Sequence, residues 1–391
     1  MTGRVGDASR DVLGQVIGAM PQMVQHTTRT SFDKWKIFEE IEKLTRFLAH
    51  RSWTVVLLLA TFSIDAKERV IIDTDPGVDD SQALLFALAS DEIEVIGLTS
   101  IFGNVDTALA TRNALRLIDL VDANIPVAAG SVRPLYAKKL PTPTFVHGKD
   151  GLGEIWVPES RRAALDLSAA EFIVETVMSN PGEISLIALG PMTNIALALA
   201  LEPRLATSVK RIVAMGGVLT VPGNVSPVAS ANILGDPHAA DIVLGTNWEI
   251  TLVLADTTRQ VKVSDAWLDR VRKHGGISGD FIYRASQFYR KFYRSSGVLE
   301  GFYNHDPTAV AFFLDESIFT TEKRAIRVIT DGMSIGDVVA AGPAHYKQPG
   351  PWYGIPLASV TTAVEADKVM RLIESTLEGA AIRENFDALQ R

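Results

Sequence analysis

From Arg69 onward, short and mainly apolar runs alternate with stretches of helical periodicity, and few folds accept that pattern. The runs are RVIID (69–73), IEVIGLTSI (93–101), Pro126–Ala129, ISLIALG (184–190), RIVAMGG (211–217) and EITLVLAD (249–256). Between them the spacing of apolar residues predicts helices over Val78–Ser90, Thr107–Val121, Thr193–Ala200 and Pro237–Leu244. A strand with one wet face alternates polar and apolar residues, whereas a continuous apolar run is buried on both faces. Helices between such strands are the crossovers that parallel pairing requires. The pattern predicts an α/β fold: one large domain over residues 69–391, with a mainly parallel central sheet flanked by helices. Ligands of such sheets collect beyond the carboxyl ends of the strands.

One strand end carries Asp73-Thr74-Asp75-Pro76-Gly77-Val78-Asp79-Asp80, four carboxylates in eight residues on a Pro-Gly turn. Charges so placed repel one another unless a cation sits among them. A hard divalent ion such as Ca²⁺, which takes about six to eight oxygen ligands, is the simplest explanation. The bland reading is that Asp79 and Asp80 only favour the positive end of the next helix, each worth about 0.3–1 kcal/mol. That leaves the other two carboxylates unexplained. The chain has no cysteine, so thiolate metal sites, disulfides and a Cys nucleophile are excluded, and any metal must be held by oxygen or by the 7 His. Its formal charge of −8 argues against a nucleic-acid polymer as partner, because phosphate-backbone binding needs a basic face.

Further short motifs follow in order. They are Gly103-Asn104, then Val146-His147-Gly148 leading to Asp150-Gly151-Leu152-Gly153, then Gly190-Pro191-Met192-Thr193-Asn194 and Met215-Gly216-Gly217. Gly223-Asn224 leads to Pro227 and Asn232, followed by Asp236-Pro237-His238-Ala239-Ala240 and His305-Asp306-Pro307. Singly they say little: Gly103-Asn104 is a turn dipeptide, Asp236-Pro237 a good helix start, and Asn194 a structural amide. As an ordered set over about residues 69–385, opening with the Asp-x-Asp-Pro-Gly-x-Asp-Asp signature at 73–80, the sequence resembles the inosine-uridine preferring nucleoside hydrolase family.

The resemblance implies that family's α/β fold with a Rossmann-like core, and Ca²⁺ as cofactor. Carried over by residue, Asp75, Asp80, Asp306 and the main-chain carbonyl of Leu189 would be its ligands. An ion-oriented water would be the nucleophile, with Asp75 as general base. Asp79, Asn104, Asn232 and Asp306 would hold the ribose hydroxyls, and Asn224 and Ser230 would also face the substrate. His305 would assist departure of the nucleobase, and His147 is a second base-side candidate. Tyr289 and Tyr293 lie four apart on a predicted helix and share a face. They resemble an aromatic pair near the base in one branch of the family, although Phe281, Phe288 and Phe292 mark the same helix as simply aromatic-rich. Trp156 is expected to pack the His147 loop. The implied reaction is hydrolysis of the N-glycosidic bond of purine or pyrimidine ribonucleosides, releasing base and ribose in nucleoside catabolism and salvage. Positive charge developing at C1′ would be stabilised by the carboxylates. A homodimer or homotetramer is implied as well.

One departure bears on the substrate. Where the family has Ala-Glu-Phe-Asn, this chain reads Ala229-Ser230-Ala231-Asn232. Serine is shorter and uncharged at the position that would accept the 5′-hydroxyl proton, and losing such a charged hydrogen bond costs about 1.5–3 kcal/mol. Either ordinary ribonucleosides are cleaved more slowly, or a 5′-modified sugar such as a 5′-monophosphate is admitted. Two other classes compete: a non-catalytic nucleoside-binding protein, and a Mg²⁺-dependent phosphohydrolase suggested by Asp73-Thr74-Asp75. The intervening Pro76-Gly77 and the second Asp pair speak against the latter.

Residues 1–68 read as an N-terminal extension. Residues 1–30 lack periodicity and are expected to be disordered. Phe32, Trp35, Phe38, Ile41, Leu44 and Leu48 predict an amphipathic helix over Ser31–Arg51. Trp53–Ile64 is an apolar run of 12 residues preceded by Lys43, Arg46 and Arg51, too short to span a bilayer but suited to a secretory signal with Ala66 as cleavage position. On that reading residues 43–64 contact the membrane or export machinery and the protein is periplasmic or exported. A start codon placed too far upstream of a real signal would account for the long basic region; otherwise an amphipathic helix and apolar strand cover a neighbour and the protein is cytoplasmic.

Overall fold

The computed structural model describes residues 67–390. The expectations for residues 1–66, including the amphipathic helix, the signal-like run and the cleavage position, lie outside the described residues.

The strands are β1 (Glu68–Thr74), β2 (Ile93–Ser100), β3 (Val127–Ala129), β4 (Leu165–Ser168), β5 (Ile184–Ala188), β6 (Ile212–Met215) and β7 (Ile250–Val253). A short pair, β8 (Lys262–Val263) and β9 (Phe302–Tyr303), stands apart, and β10 (Phe319–Val328), β11 (Val338–Ala341) and β12 (Leu357–Val364) complete the set. Ten of them form one sheet in the order β11-β10-β12-β7-β6-β5-β1-β2-β3-β4. All of its pairings are parallel except those of β10, which runs against β11 and β12.

The chain starts at the centre and winds outward through β2, β3 and β4. It then returns to the other side of β1 for β5, β6 and β7. The reversal between β5 and β1 opens a crevice at the carboxyl ends of those strands, the place where sheets of this kind bind ligands. β1 ends there and delivers the carboxylate turn into it.

Both faces of β1 are covered, as a continuous apolar run requires. Val70 and Ile72 pack on one side with helices α1 (Val78–Ala89), α5 (Gly276–Ser295), α6 (His305–Leu314) and α7 (Ala366–Gln390). Ile71 faces the other side, with the helices Ala169–Ser179, Thr193–Leu201 and Pro237–Leu244. Three further elements frame the site: α2 (Thr107–Leu120), the turn α3 (Thr144–His147) and the short α4 (Ala231–Gly235). The expected helices match to within a residue, but several strands stop before their apolar runs do. β5 ends at Ala188 and β6 at Met215, although the next amides, of Leu189 and Gly216, still donate to Asp73 and Val253 of the neighbouring strands (2.8 and 3.1 Å) before the chain turns away.

Candidate active site

Each carboxylate of the turn has its own partners. Asp80 folds back over the start of α1. Its Oδ1 accepts from Thr74 Oγ1 (2.6 Å) and the Asp75 amide (3.2 Å), and its Oδ2 accepts from the Gly77 amide (3.1 Å) and Asn104 Nδ2 (2.8 Å). This is the acidic half of a capping box, so the helix start holds Asp80 rigidly. Asp75 Oδ2 accepts from the Asn104 amide at 2.6 Å, while its Oδ1 is buried with no partner. Asp79 Oδ2 accepts from the Tyr289 hydroxyl at 3.0 Å, and its Oδ1 is likewise buried without a partner. Asp73 sits one layer deeper, its Oδ1 held by Thr99 Oγ1 (2.6 Å) and Asn194 Nδ2 (2.7 Å).

Two glycines make room for Asp75. A Cβ at Gly103 would lie 1.9 Å from Asp75 Oδ2, and one at Gly190 would lie 2.6 Å from Oδ1. No other residue fits at either position while Asp75 keeps this rotamer.

Asp306, at the start of α6, closes the group. One carboxylate oxygen each from Asp79, Asp80 and Asp306 lie within 4.8 Å of one another, and all three residues are buried. Asp75 lies beside this triple rather than in it. Burial raises the proton affinity of Asp75, Asp79, Asp80 and Asp306, and for Asp75, Asp80 and Asp306 the neighbouring carboxylates raise it further. Burial likewise pushes Asp73 up to about 7, against the hydrogen bonds from Asn194 and Thr99. Four buried carboxylates, with Asp75 Oδ1 and Asp79 Oδ1 lacking partners, fit a divalent cation, which would supply the missing positive charge. Of the implied ligand set, Asp80 and Asp306 belong to the triple. The Leu189 carbonyl instead accepts from Asn232 Nδ2 at 2.5 Å, and the same amide approaches the Met215 carbonyl at 3.1 Å.

The histidines and tyrosines converge on the same place from α3, α5 and α6. His147 Nδ1 accepts the Val78 amide at 3.1 Å and lies 3.8 Å from Asp79 Oδ1. Tyr289 and Tyr293 are both buried, with ring centroids 5.0 Å apart, and Tyr289 stacks obliquely against His147 at 5.3 Å. His305 is held at both nitrogens, Nδ1 by Thr258 Oγ1 (2.6 Å) and Nε2 by the Tyr293 hydroxyl (3.2 Å). Burial lowers His147 to about 4, and burial together with Arg259 lowers His305 to about 3, so both imidazoles are neutral near pH 7. The tyrosines thus belong to both readings: they pack as core residues and their hydroxyls reach site groups.

Beside the carboxylates a cavity of about 260 Å³ is floored by Asp75, Asn104 and Asn232 and walled by Phe102, Leu140, Phe145, Val225, Ala231 and Leu234. Ser230 and Asn224 are not among its lining residues, though Ala231 and Val225 beside them are, and one oxygen of each is occupied. Ser230 Oγ accepts the Gly217 amide at 2.7 Å, and Asn224 Oδ1 accepts the Ala231 amide at 2.9 Å. Trp156 differs from expectation: its side chain is 67% exposed, and it is its backbone amide that serves the loop, donating to Asp150. Thr74 and Thr258 were not anticipated. Nothing in their local sequence marks them, since a threonine at a strand end is common without such a role.

Comparison with known proteins agrees with this site. The family model described as inosine-uridine preferring nucleoside hydrolase matches residues 70–371. A probable uridine nucleosidase 1 of Oryza sativa subsp. japonica is 40% identical over 313 residues, covering 80% of this chain and 97% of the relative. Uridine nucleosidase 1 of Arabidopsis thaliana is 40% identical over 312 residues, covering 79% and 93%. Among solved structures, a plant nucleoside hydrolase superposes with a TM-score of 0.78 at 38% identity, over 80% of this chain and 99% of that one. The chain therefore belongs to the inosine-uridine preferring nucleoside hydrolase family, a family of hydrolases acting on N-glycosyl compounds.

Proposed function

We propose that this protein hydrolyses the N-glycosidic bond of ribonucleosides, purine, pyrimidine or both, with Ca²⁺ as cofactor. The observation that carries this reading is the convergence of Asp75, Asp79, Asp80 and Asp306 with Asn104 and Asn232 at the β5/β1 crevice, beside a cavity. The names of its plant relatives point to uridine as a first substrate to try.

Asp80 and Asp306 would hold the ion together with a neighbouring carboxylate. When bound, the ion neutralises the cluster and acidifies a water in the cleft. Asp75 then acts as general base. Its Oδ2 is fixed by the Asn104 amide, its Oδ1 is free to take a proton, and burial makes it a stronger base than an exposed aspartate. Asn104 and Asn232 offer amides for the sugar hydroxyls. Negative charge around the sugar favours the oxocarbenium-like transition state. His305, neutral and hydrogen-bonded at both nitrogens to Thr258 and Tyr293, would orient the Tyr293 hydroxyl on the base side, and the departing base would take its proton from water.

The Ser230 position favours a second, narrower reading. Its hydroxyl is committed to Gly217, and the residues lining the cavity include neither lysine nor arginine. The lining alone favours an uncharged 5′ group among modified sugars, with Lys139, 5.5 Å from the ring of Phe102 in the wall, the cation a 5′-phosphate would need to engage. The test is release of free base and ribose from uridine, inosine, their 5′-deoxy analogues and their 5′-monophosphates, with and without chelator. Turnover that survives EDTA sinks the metal role, and absence of base release from every substrate sinks the function.

A further inference from the structure

The loop that carries His147 is anchored to the carboxylate turn at two points, and the second point lies outside the residues assigned above. At the first, the Val78 amide donates to His147 Nδ1, and a Cβ on Gly77 would meet that same nitrogen at 2.6 Å. At the second, Asn113 on α2, fully buried, donates from Nδ2 to the carbonyl of Pro76 (3.1 Å) and to the carbonyl of Asp150 (2.9 Å). Pro76 belongs to the turn and Asp150 to the loop. Arg116 donates to Asn113 Oδ1 at 2.9 Å, which fixes the amide's orientation. Gly151 presses against this bridge, since a Cβ there would lie 2.9 Å from Asn113 Nδ2.

The loop beyond the bridge is wound around the Asp150 carboxylate. It accepts the amides of Leu152 (2.9 Å), Glu154 (2.8 Å) and Trp156 (2.9 Å), and Glu154 and Trp156 hold positive φ angles of 61° and 51°. Such backbone persists only where its surroundings over-determine it. Asp150 therefore shapes the loop, and Asn113 sets where the shaped loop sits relative to Asp79 and Asp80.

We propose that Asn113 is a positioning residue for the reaction, fixing His147 against the carboxylate turn through one amide that satisfies two backbone carbonyls. Only a side chain with two hydrogens on one nitrogen and an acceptor for Arg116 fills this place. Aspartate would set acceptor against acceptor, and leucine would leave both buried carbonyls unpaired. The proposal rests on the nucleoside hydrolase reading in so far as His147 serves the substrate.

The test uses the full chain and Asn113→Leu and Asn113→Asp, each alone and combined with His147→Ala. Alone, each should lower kcat/KM on the preferred nucleoside about 10- to 100-fold. In the His147→Ala background the same change should cost less than about threefold, because nothing remains to be positioned. A merely structural residue would cost the same in both backgrounds, and that result overturns the proposal. Independently of activity, ¹⁵N-histidine spectra should show the His147 signal displaced in Asn113→Leu with the His305 signal in place. An unmoved His147 signal in the folded variant also overturns it. If the wild-type protein cleaves no nucleoside, the functional reading fails while the spectra still decide this point. Should Asn113→Leu not fold, Arg116→Met releases the Oδ1 contact together with the ion pair to Glu159; it is held to the same pair of criteria, with Glu159→Gln as the control for the ion pair.

Discussion

Tyr289→Phe separates the packing role of Tyr289 from its chemical one. The ring is kept, and with it the edge contacts to Tyr293 (5.0 Å) and Phe302 (5.3 Å) and the stack on His147. What is lost is one hydrogen bond of 3.0 Å to Asp79 Oδ2, between two buried groups. A hydrogen bond to a charged group contributes about 1.5–3 kcal/mol. The bond is already made without substrate, so only the part of it that strengthens in the transition state reaches kcat/KM, and the full amount sets a ceiling of about 150-fold on the loss. The sign of the accompanying pH effect also follows. Burial raises the Asp79 pKa and the Tyr289 hydroxyl lowers it, so removing the hydroxyl leaves burial less opposed and moves the acid limb of the rate profile to higher pH. The assay is kcat/KM on uridine and inosine across the acid and neutral range, with thermal melts beside it. A variant whose profile superimposes on wild type, within about twofold at every pH, would falsify the claim that Asp79 works charged with Tyr289 as its donor.

Four further outcomes are expected. Asp75→Asn should cut kcat by about 10²–10⁴ with little change in KM, since it removes a proton acceptor used in the transition state; a loss confined to KM would assign Asp75 to binding. Folded-state pKa values of Asp75, Asp79, Asp80 and Asp306 are raised, so the cation-free fold is favoured at pH below the ordinary carboxylate range and loses that contribution as pH rises through the folded values. A cation replaces those protons, so the melting-temperature gain from Ca²⁺ over EDTA should be larger near pH 8 than near pH 5, and at about 100-fold Kd worth ~2.7 kcal/mol; equal gains count against a cation in the cluster. Ser230→Ala should destabilise the protein by about 1–3 kcal/mol by orphaning the buried Gly217 amide. Ser230→Glu should raise kcat/KM on common ribonucleosides, and an unchanged value would remove the 5′ argument.

The sheet was legible where its strands are buried on both faces and illegible where they are not. β1, β2, β5, β6 and β7 are apolar runs and were expected. β10 reads FTTEKRAIRV and leaves Thr320–Lys323 exposed, so it has neither a continuous apolar run nor clean alternation along its length. β12 is hidden for the same reason: its last residues, from Thr362, turn out of the core. The antiparallel edge is built from such half-wet strands and carries none of the site residues discussed above. For the candidate site, the carboxylate turn stood out by its density of charge, whereas Asn104, Asn232, His147 and His305-Asp306 were picked out only by the ordered set of motifs and the family resemblance it carries. Thr258 and Asn113 were picked out by neither, because their roles depend on which distant backbone or ring nitrogen they meet.

The turn itself shows why spacing alone could not apportion its four carboxylates. Equal charge and near-adjacent position suggest one shared task, yet the end of a strand followed by a helix start points successive side chains in different directions. Asp73 still belongs to the pleat, opposite Thr99 in β2 and Ala188 in β5, and so becomes a strut between strands, tied to Asn194 on the next helix. Asp75 is the first residue past the ladder and turns into the gap left by Gly103 and Gly190. Asp80, at the third helical position, must satisfy the free amides of the turn before it can do anything else. Asp79, one residue earlier and about 100° around that first turn, meets Tyr289 and His147. Exchanging the roles of Asp79 and Asp80 would need a different helix start, not a different residue. The backbone therefore decides which carboxylates keep a free oxygen: Asp73 Oδ2, Asp75 Oδ1 and Asp79 Oδ1 are left without partners, while both oxygens of Asp80 already accept hydrogen bonds and hold it in place beside Asp79 and Asp306.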